Sequence, residues 1–367
     1  MMLLELRKRE KWLVTFVLLG IFCMVSSCID LINLTLEDDQ EFLVVDGDFS
    51  NHAGNYQLKL YYATGQKVKA RREVEGAAIQ IFEEGVVIGA YEEIKAGLYQ
   101  ITNPTLKGET GKGYHIEIVL PNGETYQSTP EIMPELIAGD SIFFDYSLIE
   151  VPTGEGFIKR NFIEAFVATP LPASREKPYW IRWNTVRFFS FPEVICGPLG
   201  PPPNTCFVTA EPTGQEIYIL DGANLAADYL PKWKIGQHMI PADDLEFRGR
   251  HYFLVNQQSI TEEAHTYWRK IDRIANQSGS IFDAPPAPVL GNIKNVTNPE
   301  EVVLGYFEVS NVDSLRNFVT KSSLSDFFLF TENVCTNSSN PFSNNGRFCC
   351  NCTRLENSSL ERPSWWQ

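Results

Sequence analysis

The chain has 367 residues and a formal net charge of −15, with 44% hydrophobic and 12% aromatic residues. Such an acidic surface repels nucleic acid and anionic lipid head groups, which argues against a nucleic-acid-binding role. A chain of this length is expected to form two domains. Val, Ile, Phe, Tyr and Thr are plentiful and Gly and Pro are spread along the chain, so the composition predicts a mainly β protein.

Residues 1–27 have the layout of a secretory signal peptide. Basic residues from Arg7 to Lys11 precede an apolar run, which ends at Val25 and is shorter than the ~20 residues of a membrane-spanning helix. Small residues then lead into Cys28, a pattern that resembles the bacterial lipobox. The resemblance implies cleavage before Cys28 and acylation of its sulfur, which leaves residues 28–40 as a lipidated tether.

The tether carries an acidic cluster, Glu37-Asp38-Asp39. This cluster is similar to the surface-export signal of Bacteroidota lipoproteins, although it lies further from Cys28 than that signal usually does. We therefore expect a lipid anchor in the outer membrane, with the protein on the cell-surface side. The periplasmic side is the alternative.

Residues 41–130 are predicted to form a β-sandwich domain. Apolar and polar residues alternate in short segments that are separated by turn residues at 8–12-residue spacing, which is typical of an immunoglobulin-like or transthyretin-like sandwich. His115 falls on the polar face of its strand and is expected to face solvent. The predicted strands are Phe42–Val45, Tyr56–Leu60, Ala77–Phe82, Val86–Tyr91, Gly97–Ile101 and Tyr114–Leu120.

After a predicted linker at residues 130–140, residues 141–330 are expected to form a larger β-rich domain with one or two helices. Trp180 and Trp183 lie three apart in a strand-like run and should face opposite sides, one in the core and one at its rim. The predicted strands lie near Asn161–Thr169, Tyr179–Phe189, Glu216–Leu220, His251–Gln257 and Val302–Val309.

One segment of this larger domain is predicted to be helical. Ser259, followed by Glu262, has the spacing of a capping box, and apolar residues from Ala264 to Ala275 then recur at helical intervals. The stripe that contains Tyr267 and Trp268 is expected to be core and not a ligand platform. His265, beside this stripe, is expected to be structural.

Six cysteines follow Cys28, and an even number in an oxidising compartment predicts disulfides. Cys196 and Cys206 flank a Gly/Pro-rich loop and are expected to pair. The other four, in a Cys-rich tail at residues 331–367, are expected to pair among themselves with open connectivity. A zinc knuckle or a redox pair at the C-x-x-C of the tail is the weaker reading, because the tail has no second ligand pair and is rich in Asn and Ser. The tail cysteines are Cys335, Cys349, Cys350 and Cys352.

The sequence contains no nucleophile elbow, zinc-protease motif, phosphate-binding Gly loop or calcium loop. Its five histidines are scattered. We therefore predict no catalytic, cofactor-binding or metal-binding residue, and no cofactor. The densest acidic group after the tether, Asp243-Asp244 with Glu246, precedes Arg248 and Arg250 and is expected to be a charged loop with local ion pairs.

Several short landmarks occur in an order that carries a family resemblance. The landmarks are the lipobox, Gly76-Ala77, Gly97-Leu98-Tyr99, Tyr114-His115-Ile116, Tyr126-Gln127-Ser128, Tyr267-Trp268, Gly291-Asn292-Ile293, Leu304-Gly305-Tyr306-Phe307, Cys349 with Cys352, Pro363 and Trp365-Trp366. In their order, these landmarks resemble the Bacteroidota lipoproteins of domain-of-unknown-function family 4249 over nearly the whole mature chain. The doubled Cys349-Cys350 departs from the simpler Cys pair of that pattern.

The resemblance implies a companion of a TonB-dependent outer-membrane receptor and supplies no catalytic residues. We expect an accessory module, not an enzyme, that docks on such a receptor and helps to capture or gate its nutrient. One alternative is an envelope-assembly or adhesion lipoprotein that binds another protein and no nutrient. Another is a surface hydrolase, which would need a deep cleft with two carboxylates.

Overall fold

Strands dominate the part of the chain that the computed structural model describes, so the prediction of a mainly β protein is confirmed. No helix in this part combines the length and apolarity needed to cross a membrane. The lipobox with Cys28, together with Cys196 and Cys335, lies outside the described residues. These residues are 41–64, 71–154, 156–172, 177–194, 202–210, 217–223, 225–240, 245–247, 249–276, 288–324 and 347–366.

The N-terminal part follows the predicted strands closely, although most of them extend further. Between the fourth and fifth strands, Glu84 and Gly85 both have positive φ (48° and 80°), the geometry of a tight hairpin turn whose twist matches the flanking strands. The strands are β1 Glu41–Ser50, β2 Gln57–Thr64, β3 Arg72–Glu73, β4 Ala78–Glu83, β5 Val86–Lys95, β6 Leu98–Ile101, β7 Gly113–Val119, β8 Thr125–Ser128 and β9 Glu131–Ile132.

One face of these strands forms a core of fully buried aliphatic and tyrosine side chains, including Leu58, Ile81, Tyr99 and Ile116. The expectation that His115 faces solvent is wrong. Its ring is buried and stacks on Phe82 with the centroids 4.6 Å apart. The alternation within β7 correctly predicted that His115 points away from the core. On that other face of the sheet, however, the ring of Phe82 covers it.

The remaining elements contain long strands and one substantial helix. They are β10 Ser141–Thr153, β11 Gly156–Pro170, β12 Trp180–Pro192, β13 Thr205–Ala210, β14 Tyr218–Asp221, β15 Tyr229–Met239, β16 His251–Ile260, α1 Glu262–Asn276, β17 Ile293–Asn295, β18 Val303–Val319, α2 Lys321–Leu324, α3 Arg347–Cys350 and β19 Ser358–Ser359, with 3-10 turns at Leu245–Phe247 and Cys352–Arg354. Trp183 is buried and Trp180 half-buried, as predicted.

Within the described residues, sixteen strands form one continuous sheet. Its main path runs β17-β8-β7-β4-β5-β6-β2-β1-β18-β16-β12-β13-β19, and β10-β11-β15 form a separate three-stranded sheet. β1 pairs in parallel with β18, so the first and last long strands of the sheet lie side by side. The predicted domain boundaries are therefore wrong in one respect. Residues Ile293, Phe307 and Val309 were expected in the larger domain, but they are part of the N-terminal core.

Two glycines and one asparagine allow the segment before β17 to pack closely against β18. The side chain of Asn292 donates to the backbone oxygen of Phe307 at 2.9 Å and accepts from its N–H at 3.0 Å, imitating a strand neighbour. Gly291 and Gly305 allow this approach, since a Cβ on Gly291 would lie 1.5 Å from the Gly305 oxygen. The two landmark motifs around Gly291 and Gly305 are thus two sides of one contact.

Helix α1 begins two residues later than the predicted capping box implies. Thr261 is the capping residue, because its hydroxyl accepts the backbone N–H of Ala264 at 3.1 Å. Ser259 is still in β16, where its hydroxyl accepts the Ile137 N–H at 3.0 Å. The capping box at Ser259 is therefore wrong, while the helix itself is confirmed.

The C-terminal tail is fastened to the edge of the sheet. Cys206 on β13 forms a disulfide with Cys352, so the expected pairing of Cys206 with Cys196 is wrong, and so is the expectation that the four tail cysteines pair only among themselves. Cys349 and Cys350 are also disulfide-bonded. β19 pairs with β13, and Trp366 packs on Phe207 and Tyr252. Long-range packing thus places the tail beside β13, a proximity that no local spacing reveals.

Candidate functional site

A cleft with a volume of about 860 Å³ lies between helix α1 and the face of the sheet that is formed by β2, β1, β18, β16 and β12. This volume is in the range of small-molecule sites. Aspartates and amides line its floor, and aromatic and aliphatic side chains line its wall. The lining includes Asp46, Asp48, Ser50, His52, Tyr61, Arg182, Asn184, Asn256, Gln258, Tyr267, Trp268, Ile271, Ile274, Tyr306 and Glu308.

Four polar side chains form a row across adjacent strands of the floor. Asp48 on β1 lies opposite Glu308 on β18, and Gln258 on β16 lies opposite Arg182 on β12. Two carboxylates placed directly opposite each other repel, so this arrangement costs stability unless a cation offsets it. The two carboxylates of this row are therefore placed side by side despite their mutual repulsion.

Arg182 forms its ion pair with Glu308. Its guanidinium donates to Glu308 Oε1 at 2.7 Å, and Gln258 Nε2 donates to the same oxygen at 3.1 Å. The indole N–H of Trp268 donates to Oε2, and the Arg182 guanidinium lies 4.3 Å from the centre of the Trp268 ring. Both oxygens of this buried carboxylate are thus occupied.

Asp48 has no such partner. Among the described residues no ion pair reaches its carboxylate, which is exposed to the interior of the cleft. Burial within the protein, together with the nearby charge of Glu308, raises the pKa of Asp48 to about 6. Asp46, two residues earlier on the same face, has a weak contact with Lys59 at 3.5 Å, both side chains being half-exposed or more.

The aromatic stripe of α1 faces this cleft. Tyr267 stacks on Tyr306 with the ring centroids 4.7 Å apart, and the Tyr267 and Trp268 rings meet edge to face. Both α1 residues are half-buried and line the cleft. The stripe is therefore core only in part, because these two side chains also line the cleft. His265, by contrast, is buried against Trp180, with ring centroids 6.4 Å apart.

A second carboxyl group with a shifted pKa lies beneath the floor. Glu131, in the segment predicted to be a linker, is buried, accepts the Tyr306 hydroxyl and accepts the Val309 N–H at 3.2 Å. Burial raises its pKa to about 7, although the two hydrogen bonds act in the opposite direction. Glu131 connects the floor strand β18 to β9 and does not line the cleft.

A buried cluster elsewhere has the composition of a metal site, since His238, Glu246 and His251 bring their ligand atoms within 4.8 Å of one another. Arg187 already occupies the position that a metal would take: its guanidinium lies 2.8 Å from Glu246 Oε2 and 2.9 Å from His238 Nε2. A metal at this point would face a buried guanidinium, so the residues do not fit one.

The same cluster corrects the prediction of local ion pairs around Glu246. Glu246 itself pairs with Arg187, 59 positions away in the chain. Burial opposes the ionisation of Glu246, but His238 and Arg187 outweigh it and lower its pKa to about 2. Asp243, Asp244 and Arg248 lie outside the described residues.

The charged residues that line the cleft were not predicted as site residues from the sequence. Asp46 and Asp48 interrupt an apolar strand at alternate positions, and Glu308 interrupts another. Charges inside otherwise buried strands were the available signal. Of the predicted site residues, Cys206, Cys349, Cys350 and Cys352 lie together at the tail, remote in sequence from these positions.

The fold and the cleft together define a mainly β protein whose central strands and one helix enclose a polar-floored, aromatic-walled site. The family described as "Domain of unknown function (DUF4249)" matches residues 29–316, so the chain belongs to this family. No curated protein and no solved structure matches the chain.

Proposed function

We propose that this protein is a lipid-anchored accessory module of the outer membrane that binds a small ligand in its cleft and docks on a TonB-dependent receptor. The observation that carries the binding part is the cleft itself, about 860 Å³ in volume with a charged floor and an aromatic wall. Ligand sites of this size combine apolar walls with a few placed polar groups. The receptor and the membrane come from the family resemblance and from the lipobox at Cys28.

The floor favours binding over chemistry, because the carboxylate best placed to act with Asp48 is already engaged. Both oxygens of Glu308 accept hydrogen bonds, from Arg182, Gln258 and Trp268. A carboxylate whose two oxygens accept three hydrogen bonds is held in place by its neighbours and is poorly placed to act on a substrate.

A surface hydrolase is the second candidate, and one observation favours it. Asp46 and Asp48 share a face of β1 two residues apart, and this backbone spacing of roughly 7 Å is compatible with the separation of the two carboxylates in inverting glycosidases. The raised pKa of Asp48 suits a general acid. Release of reducing sugar from surface polysaccharides by the native protein, and its loss in Asp48→Asn, would establish this function in place of binding alone.

The docking proposal is tested by recovering the acylated protein from solubilised outer membranes and identifying its partners by mass spectrometry. A TonB-dependent receptor in roughly equal amount supports the proposal. The control is Cys28→Ala, which removes the acylation site and should leave the protein out of the membrane fraction. Recovery of assembly machinery, or of no receptor, from the native sample contradicts docking and favours the envelope-assembly or adhesion role.

A further inference from the structure

The cleft offers more hydrogen-bond acceptors than the protein satisfies. Arg182 pairs with Glu308 and lies over the Trp268 ring, and although its charge also acts on Asp48 it forms no ion pair with either aspartate of β1. Asp48 has no ion pair among the described residues, and the contact of Asp46 with Lys59 is long and exposed. The lining of the cleft therefore carries three carboxylates, those of Asp46, Asp48 and Glu308, against one guanidinium.

Gln258 adds a third unmet acceptor, and its orientation is fixed by its neighbour. Glu308 accepts hydrogen bonds and donates none, so the amide nitrogen of Gln258 must face it, as it does at 3.1 Å. The amide oxygen then has no donor within the described residues. Gln258 is 8% exposed, and an acceptor buried without a partner costs about 1–3 kcal/mol. A donor on a ligand would remove this cost.

The wall of the cleft is suited to an apolar body that carries positive charge. Tyr267, Trp268 and Ile271 present aromatic and aliphatic surface opposite the acidic floor. Aromatic faces attract cations, and Trp268 already holds the Arg182 guanidinium in this way. An anionic ligand would meet the excess of carboxylates in the lining, and a neutral ligand would leave that excess in place.

We infer that the cleft binds a small ligand carrying ammonium or guanidinium groups on an apolar body, with the cations at Asp46 and Asp48 and a donor at the Gln258 oxygen. This assignment rests on the proposed function of the cleft as a binding site. Same-face residues two apart on a strand are separated by roughly 7 Å. Ligands with two cations at about that distance fit best.

Arginine amide and citrulline amide are suitable probes, because they have nearly the same shape and differ by the guanidinium charge. Isothermal titration of the full acylated protein in detergent should show arginine amide binding at least about tenfold more tightly than citrulline amide. Asp48→Asn should weaken arginine amide by about tenfold and reduce the difference between the probes. Asp228→Asn is the matched control, since this exposed aspartate lies outside the cleft and its loss should change neither affinity.

Equal binding of the two probes, no binding of either, or an equal effect of both variants would overturn the inference. Thermal melting of each variant verifies that it is folded, and removing a like charge opposite Glu308 should not destabilise the chain. Failure here is distinct from failure of docking: receptor recovery by the acylated protein does not depend on which probe binds. If the probes behave as expected and no receptor is recovered, the ligand class stands without the docking partner.

Discussion

Glu131 carries an ionisable group into the space between the core and the cleft floor. Its hydrogen bonds to Tyr306 and Val309 attach the segment after β8 to β18, the strand that also carries Glu308. Burial makes the charged form costly, so the folded state prefers the protonated carboxyl. The group therefore links the stability of the floor to pH.

The direction of this linkage follows from the raised pKa. The contribution of Glu131 to stability is fully present below the unfolded value of 4.5 and is lost as the pH rises through about 7. Between about pH 5.5 and about pH 8.5 the native chain should lose about 2 kcal/mol more unfolding free energy than Glu131→Gln, whose amide does not titrate. Urea denaturation at both pH values measures this.

Glu92→Gln is the control for that experiment, because Glu92 is exposed on β5 and its replacement should leave the pH dependence of the native chain unchanged. The same pH dependence in native protein and Glu131→Gln would contradict the assignment of the titration to Glu131.

At the scale of elements, Gly305 on β18 lies where the strand approaches its neighbours most closely. Gly305 has a φ of +86°, and a Cβ there would lie 1.9 Å from the Val45 oxygen on β1. β1 is the parallel neighbour of β18 and carries Asp46 and Asp48. The geometry of this glycine therefore fixes the two strands that form the acidic floor.

Gly305→Ala should destabilise the protein by more than about 3 kcal/mol or prevent folding, because the methyl group meets backbone on top of the strain of a positive φ. Gly123→Ala is a matched control: its φ is +90°, but no atom lies within 4 Å of the added Cβ. The control should lose only about 1 kcal/mol. Similar melting temperatures for the two variants would show that the close approach is not real.

At the scale of the whole molecule, the Cys206–Cys352 disulfide joins positions 146 residues apart. It holds the C-terminal tail on β13, beyond which Trp365 packs on Phe188 and Tyr252. A crosslink over this distance restricts the unfolded chain strongly, by up to about 5 kcal/mol in the chain-entropy view. The tail is thus part of the fold and not an appendage.

Replacing Cys206 and Cys352 together by alanine should lower the unfolding free energy by up to about 5 kcal/mol and expose the tail to limited proteolysis. Mass mapping of the native protein without reductant gives an independent reading, and should recover a peptide that joins the two cysteines. A peptide joining Cys196 to Cys206 would restore the pairing expected from the sequence. Retention of the tail in the protease-treated variant would show that packing alone holds it.

The sequence by itself determined the mainly β class, most strands of the N-terminal part and the position of helix α1. These follow from alternation and helical spacing, which are local and need no knowledge of neighbours. It also supported the family membership, through landmarks such as Gly291-Asn292-Ile293 whose order is readable along the chain. Their physical role, two glycines meeting across a sheet, was not readable.

Tertiary structure alone decided the strand neighbours, the Cys206 pairing and the cleft. Asp48 and Glu308 lie 260 positions apart and become neighbours only because β1 and β18 pair in parallel. The same holds for Arg187 and Glu246, and for the aromatic stripe of α1, which is half core and half cleft wall. Which strands lie side by side depends on the summed burial of the whole chain, and no short window of sequence carries that sum.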